Sequence, residues 1–101
     1  MSERVEQFKQ AVEKACQCKA RHVASKAIIE GFEGQVVWDG IVEVFDLQRH
    51  PKAMRCYSFY FVQDNGETVI KTVLGIPPVD SEVSAVRTAI AGQLENNSPS
   101  N

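Results

Sequence analysis

Two runs rich in β-branched and aromatic residues, Val36 to Phe45 and Arg55 to Gln63, lie on either side of a polar connection containing His50-Pro51. Such side chains fit a pleated, half-buried surface. Pro51 drives His50 out of the helical region, so the chain between the runs is a connection. Two strands joined this closely pair antiparallel. Whatever else the protein contains must pack on the sheet that this pair begins.

The second run carries apolar groups on both of its faces. Tyr57, Phe59 and Phe61 point one way; Cys56, Ser58, Tyr60 and Val62 point the other. Helices laid on one face leave the other to be curled into a half-barrel, covered by a loop, or packed on a second subunit. A homodimer follows as the expectation, with the aromatic sheet face as its contact.

The rest of the chain supplies the partners of this pair. Val5, Phe8, Val12, Ala15 and Cys16 recur at helical spacing behind Ser2, which predicts a helix from residue 3 to about residue 20. Residues 21 to 35 read two ways. Val23, Ala27 and Ile28 continue the helix, or Ala27 to Phe32 form a short strand that Glu33-Gly34 turns back. Gly31 and Gly34 favour the strand. Gly40 marks a bulge in the run that follows. Asn65-Gly66 has the composition of a type I′ hairpin turn. The next strand, Thr68 to Leu74, ends before Pro77-Pro78. Asp80 or Ser81 caps a last helix, with Glu82 near its positive end. Val83, Val86, Ala89, Ile90 and Leu94 share one face of it. The polar stretch Glu95 to Asn101 reads as a disordered tail.

The expected fold is therefore α+β: an antiparallel sheet of three to four strands flanked by N-terminal and C-terminal helices, in the order α-β-β-β-β-α. The two helices should share one sheet face. Residues 1 to 94 form a single domain.

Charge and cysteine content limit the partners. The net charge is -2 and the 11 basic residues are scattered, which argues against a nucleic-acid surface. No apolar run approaches the ~20 residues of a membrane span. The charged N-terminus has no signal core, and three cysteines cannot all pair, so a reduced cytoplasmic protein is expected.

Candidate chemistry is sparse. On a helix, Cys16 and Cys18 diverge by about 200°. Cys18 with His22 supplies too few ligands for a closed zinc site. Neither a metal nor a cofactor is expected. His50 and Cys56 lie near opposite ends of one connection and are secondary candidates for an acid-base and nucleophile pair. No enzyme motif surrounds them; a turn-shaping histidine and a small core cysteine are the plainer reading. Asp39 and Glu43 share strand parity with Ile41. A carboxylate there belongs to a solvated edge or to a cleft that perturbs it. If a ligand pocket exists, Glu43 is its polar contact, Trp38 and Tyr57 its walls, and Phe59 part of its lining. The plainer reading makes Glu43 a surface carboxylate paired with Arg49, Lys52 or Arg55. Gly31, Gly34 and Gly40 match no phosphate loop.

The run from Trp38 through Gly40, Val42, Phe45 and Leu47, then His50-Pro51 and Cys56-Tyr57, resembles small bacterial α+β proteins carried as mobile integron gene cassettes. The resemblance covers about residues 27 to 90. It implies a bacterial cytoplasmic protein that self-associates, and it supplies no catalytic residue.

Three functional readings stand in order. The first is a non-enzymatic module acting through a homodimer or a protein partner. The second is a small-molecule binder built around Trp38, Glu43, Tyr57 and Phe59. The third, a hydrolase or isomerase using His50 or Glu43, ranks last because it lacks a second catalytic partner.

Overall fold

The computed structural model describes residues 3–97, with side chains as far as residue 92. Its elements are α1 (Glu3–Cys16), β1 (Lys19–Phe32), β2 (Gln35–Gln48), β3 (Arg55–Val62), β4 (Thr68–Leu74) and α2 (Glu82–Asn97). The strands form one antiparallel sheet in the order β1-β2-β3-β4. This is the α+β fold expected, in the expected order.

The boundaries differ at the N-terminal end. Helix α1 stops at Cys16 because Gln17 takes a left-handed conformation, φ 55°, a common way to end a helix. The chain then enters β1 at Lys19, so residues 21 to 32 are strand throughout. β1 hides its character because Ala20 and Ala24 turn inward while Arg21 and Lys26 remain exposed. Small inward residues give a weak period-two signal. The cap expected at Ser2 falls outside the described residues.

Two turns exchange roles. Glu33 and Gly34 both have positive φ, 52° and 79°, between paired Phe32 and Gln35. This is the two-residue turn that matches the strand twist. At the other hairpin the Gly66 N–H donates to the Gln63 carbonyl at 2.9 Å, and the Gln63 N–H donates to that of Glu67 at 2.8 Å. Gly66 has φ 86° and Asn65 does not join it in the positive region. The loop is thus a three-residue turn closed by a left-handed glycine, and the type I′ expectation at Asn65-Gly66 is corrected.

The helices lie on opposite faces of the sheet, which corrects the expectation that they share one. Phe8 and Val12 of α1 pack with Ala20, Phe45, Leu47, Ala53 and Cys56. Ala85, Val86 and Ala89 of α2 pack with Val42, Val44, Tyr57, Phe59 and Phe61. Each face of β3 therefore has a helix of its own, and the aromatic face needs no second subunit to cover it. Phe8, Phe45 and Phe59 are fully buried, each contributing about 1.5–3 kcal/mol of transfer free energy.

Helix α2 begins at a serine cap. The Ser84 N–H donates to Ser81 Oγ at 3.2 Å, and Ser84 Oγ accepts from the Asp80 and Ser81 N–H groups, each at 3.0 Å. Serines here perform the reciprocal capping usually shared by Ser and Glu. The helix runs on through Glu95 to Asn97, the first residues of the stretch expected as a tail; residues 98–101 lie outside the described residues, as does the Leu94 side chain.

The sheet parts along one seam. β1 and β2 pair over their whole length, whereas β2 pairs with β3 only from Glu43↔Ser58 to Asp46↔Arg55. Beyond Glu43 the outer half of the β1–β2 ribbon leaves the sheet. Trp38 spans the opening, its indole N–H donating to the Tyr60 carbonyl at 3.1 Å. Gly40 lies beneath the indole; an added Cβ would stand 3.0 Å from it. The bulge expected at Gly40 occurs instead between Glu30 and Gly31, where β2 carries the extra Val37. Among the described residues no helix is long and apolar enough to cross a membrane.

Candidate functional site

The carboxylate of Glu43 is 1 % exposed. It projects from the centre of β2 to the α1 side, between Ile41 and Phe45. Side chains of two other elements converge on it. Arg4, in the first turn of α1, donates Nη1 to Oε2. His22 Nε2 meets Oε1 at 2.8 Å, and Ser25 Oγ donates to the same oxygen at 2.5 Å. Register delivers both β1 residues: Ser25 faces Glu43 and His22 faces Phe45 across the ribbon.

Aromatic rings hold the cation and the imidazole in place. The Arg4 guanidinium lies 4.9 Å from the Phe8 ring centroid and 5.6 Å from that of Tyr60. The Phe8 and Tyr60 rings meet at a tilt, centroids 4.7 Å apart, and the Tyr60 hydroxyl donates to Gln7 Oε1 at 3.0 Å. His22 meets the Phe45 ring edge-on at 5.3 Å. A carboxylate taken out of water costs several kcal/mol unless its oxygens are satisfied. Here both oxygens are.

This cluster contains a serine, a histidine and an acid, but not a nucleophilic triad. In a triad the acid holds one imidazole nitrogen while the other takes the serine proton. Here Glu43 and Ser25 meet the same nitrogen of His22, at 2.8 and 3.3 Å, and the serine hydroxyl is turned to the carboxylate. Nothing draws the proton from Ser25 towards a base that could keep it. The arrangement ties α1 to the ribbon.

The four pocket residues expected from the sequence do not meet. Tyr57 and Phe59 are buried on the α2 side, and Trp38 packs edge-on against Phe59 at 5.3 Å. Glu43 is on the other side of the sheet. A solid core occupies the place of the pocket expected among Trp38, Tyr57 and Phe59, and Glu43 cannot be its polar contact. Burial and the neighbouring Glu82 push the Tyr57 hydroxyl pKa up. The surface reading of Glu43 fails as well, since its cation is Arg4 and not Arg49, Lys52 or Arg55. It is Asp46 that takes Arg55, at 3.0 Å, together with Arg21 at 3.2 Å.

His50 and Cys56 are engaged separately. His50 Nδ1 accepts the N–H groups of Lys52 and Ala53, both at 3.1 Å, and so shapes the connection. Cys56 is fully buried. Burial pushes the Cys56 pKa far up, the opposite of what an activated nucleophile needs. Among the described residues no group of three or more His, Cys, Asp or Glu could hold a metal ion.

The sequence reading missed Arg4, Ser25 and the place of His22. The signal was in the hairpin. Counting outward from Glu33-Gly34, with one extra residue absorbed on β2, brings Ser25 opposite Glu43. An open groove of about 590 Å³ was missed too. Gly31, Phe32, Val37, Phe61, Val62 and Ile90 line it, with the Arg87–Glu30 pair, 2.6 Å apart, at its rim.

Comparison with protein-family models, with curated proteins and with solved structures returns no match, so the geometry alone carries the functional reading.

Proposed function

We propose that this chain is a non-enzymatic interaction module that pairs with a second copy of itself through the projecting end of the β1–β2 ribbon. One observation carries the reading: the apolar residues of that end are in water. Ile29 is 68 % exposed, Phe32 61 %, Val36 64 % and Val62, across the groove, 60 %. Val37 and Ile41 are exposed as well; the register puts Ile29, Val36 and Ile41 on one face of the ribbon tip and Phe32 and Val37 on the other, so both faces of the tip present apolar groups. Monomers rarely leave contiguous apolar patches beyond a few hundred Å² uncovered. A standard interface needs about 800 Å² from each partner.

A second copy suits the strip for two reasons. The charged residues of the tip are Glu33, Asp39 and the Glu30–Arg87 pair, and the net charge of the whole chain is only -2. A two-fold contact lets the same surface serve both partners. The contact differs from the aromatic sheet face expected at first, which α2 covers. The reading includes a bacterial cytoplasmic setting akin to that of the integron-cassette proteins; the three free cysteines are in keeping with a reducing compartment.

Light scattering at high micromolar concentration tests the pairing. The expected mass is twice 11.2 kDa. Phe32→Glu and Val36→Glu should each return the mass to that of one chain, with an unchanged circular dichroism spectrum because both positions are exposed. A wild-type mass of a single chain at that concentration overturns the proposal.

A further inference from the structure

β1 is an outer strand of the sheet and pairs with β2 alone. The direction of its backbone groups follows from one bond further in. The Leu47 N–H donates to the Met54 carbonyl at 2.9 Å, so Leu47 and, by alternation, Phe45, Glu43, Ile41 and Asp39 turn their backbone groups towards β3. Val44, Val42, Gly40 and Trp38 then turn theirs towards β1, where Ala24, Lys26, Ile28 and Glu30 face them. Between these, Ser25, Ala27 and Ile29 aim their N–H and C=O groups away from the sheet, and all three residues are exposed. Nearer the start of β1 the edge is covered: the Ala20 N–H donates to the Glu13 carboxylate of α1 at 2.9 Å. An open edge is a template for another strand unless charge, proline or a bulge guards it. The bulge at Val23 precedes this segment. Its one basic residue, Lys26, is followed by an acidic one, Glu30.

We propose that the second copy is held by strand addition, β1 of each copy pairing antiparallel with β1 of the other about a two-fold axis at Ile28. This rests on the reading of the chain as a self-pairing module and names the backbone edge that the pairing uses. Charge selects the register, because opposite charges across a strand pair attract and like charges repel. An axis at Lys26 sets the two lysines against each other. An axis at Ala27 sets Lys26 against Ile28, and one at Ile29 sets it against Phe32. Only the axis at Ile28, of these four, sets Lys26 against Glu30 of the second copy, and it does so twice. The same axis sets Ile28 against its own counterpart, Ile29 against Ala27 and Phe32 against Ala24, so that a large side chain meets a small one on each face. The outward groups of Ala27 and Ile29 then face each other and can exchange hydrogen bonds. Glu30 keeps its contact with Arg87, which engages Oε1, because a carboxylate accepts at two oxygens.

Amide hydrogen exchange of the full chain, followed residue by residue at low and at high micromolar concentration, is run beside light scattering on the same samples. Where the mass doubles, the amides of Ser25, Ala27 and Ile29 should slow by roughly tenfold or more. Those of Lys26 and Ile28, already bonded to β2, should be slow at both concentrations. Lys26→Glu, at an exposed position, should keep the native circular dichroism spectrum and return the mass to that of one chain. A doubled mass with no slowing at Ser25, Ala27 and Ile29 overturns strand addition and leaves self-pairing standing. A doubled mass that survives Lys26→Glu overturns the register. The mass of a single chain for the native protein at high concentration overturns both this proposal and the reading on which it rests.

Discussion

Glu43 is a charge kept inside a sheet of valines and phenylalanines by three side chains from two other elements, α1 and β1. The physical test is to remove one partner. Arg4→Ala leaves the buried carboxylate with His22 and Ser25 alone. The loss in unfolding free energy should be about 1–3 kcal/mol, below the full value for a buried pair because Arg4 is about a third exposed and water compensates part of it. Combining it with Glu43→Gln in a double-mutant cycle should return a coupling of about 1 kcal/mol or more by urea denaturation. Additive effects would mean that the contact contributes nothing. The sequence allowed a surface carboxylate or a pocket carboxylate at this position. It offered no sign of the third outcome, because Arg4 stands 39 residues away and only the docking of α1 brings it near.

At the scale of elements, Trp38 replaces strand pairing. Where β2 leaves β3, the indole N–H supplies the donor that a neighbouring backbone would have given the Tyr60 carbonyl. Gly40 is small so that the ring can lie over it. Gly40→Val should therefore displace the indole and lower stability by about 1–3 kcal/mol. Trp38 is the chain's only tryptophan, so the displacement should appear directly as a red shift in its fluorescence. Unchanged emission and an unchanged urea midpoint would sink this account. Gly40 was legible as an interruption of the run, and a bulge was the local explanation at hand. The actual reason is a side chain two residues earlier folding back, which a scan for period two does not register. β1 was legible in type but not in extent, since its inward positions, Ala20, His22, Ala24, Ile28 and Glu30, include only one large apolar residue.

Across the whole molecule, the element order and the antiparallel sheet were readable because each strand carries its own signal and each turn its own residues. The placement of the helices was not, because both have one apolar stripe and either sheet face could receive it. Their separation has a measurable electrostatic consequence on the two cores. Cys16 and Cys56 on one side, and Tyr57 on the other, have pKa values raised by burial above the ordinary 9.0 and 10.0. The unfolded chain gives up these protons first as the pH rises. Stability should therefore be level below about pH 9 and fall above it. Melting temperatures measured from neutral to strongly alkaline pH should show that decline, and Cys56→Ala should flatten it. A flat profile through that range would show that these thiols are not buried as described.

The helix on each face also governs how such a molecule can grow. With both broad surfaces occupied, the pairing proposed here adds the second copy at the overhanging tip instead of thickening the block. The chain measures 38 × 29 × 24 Å, so a pair joined tip to tip is drawn out lengthwise and sediments more slowly than a round particle of equal mass. A two-fold contact of this kind uses up the exposed strip of both members at once. On the proposed pairing, assembly stops at two instead of running on into a fibre.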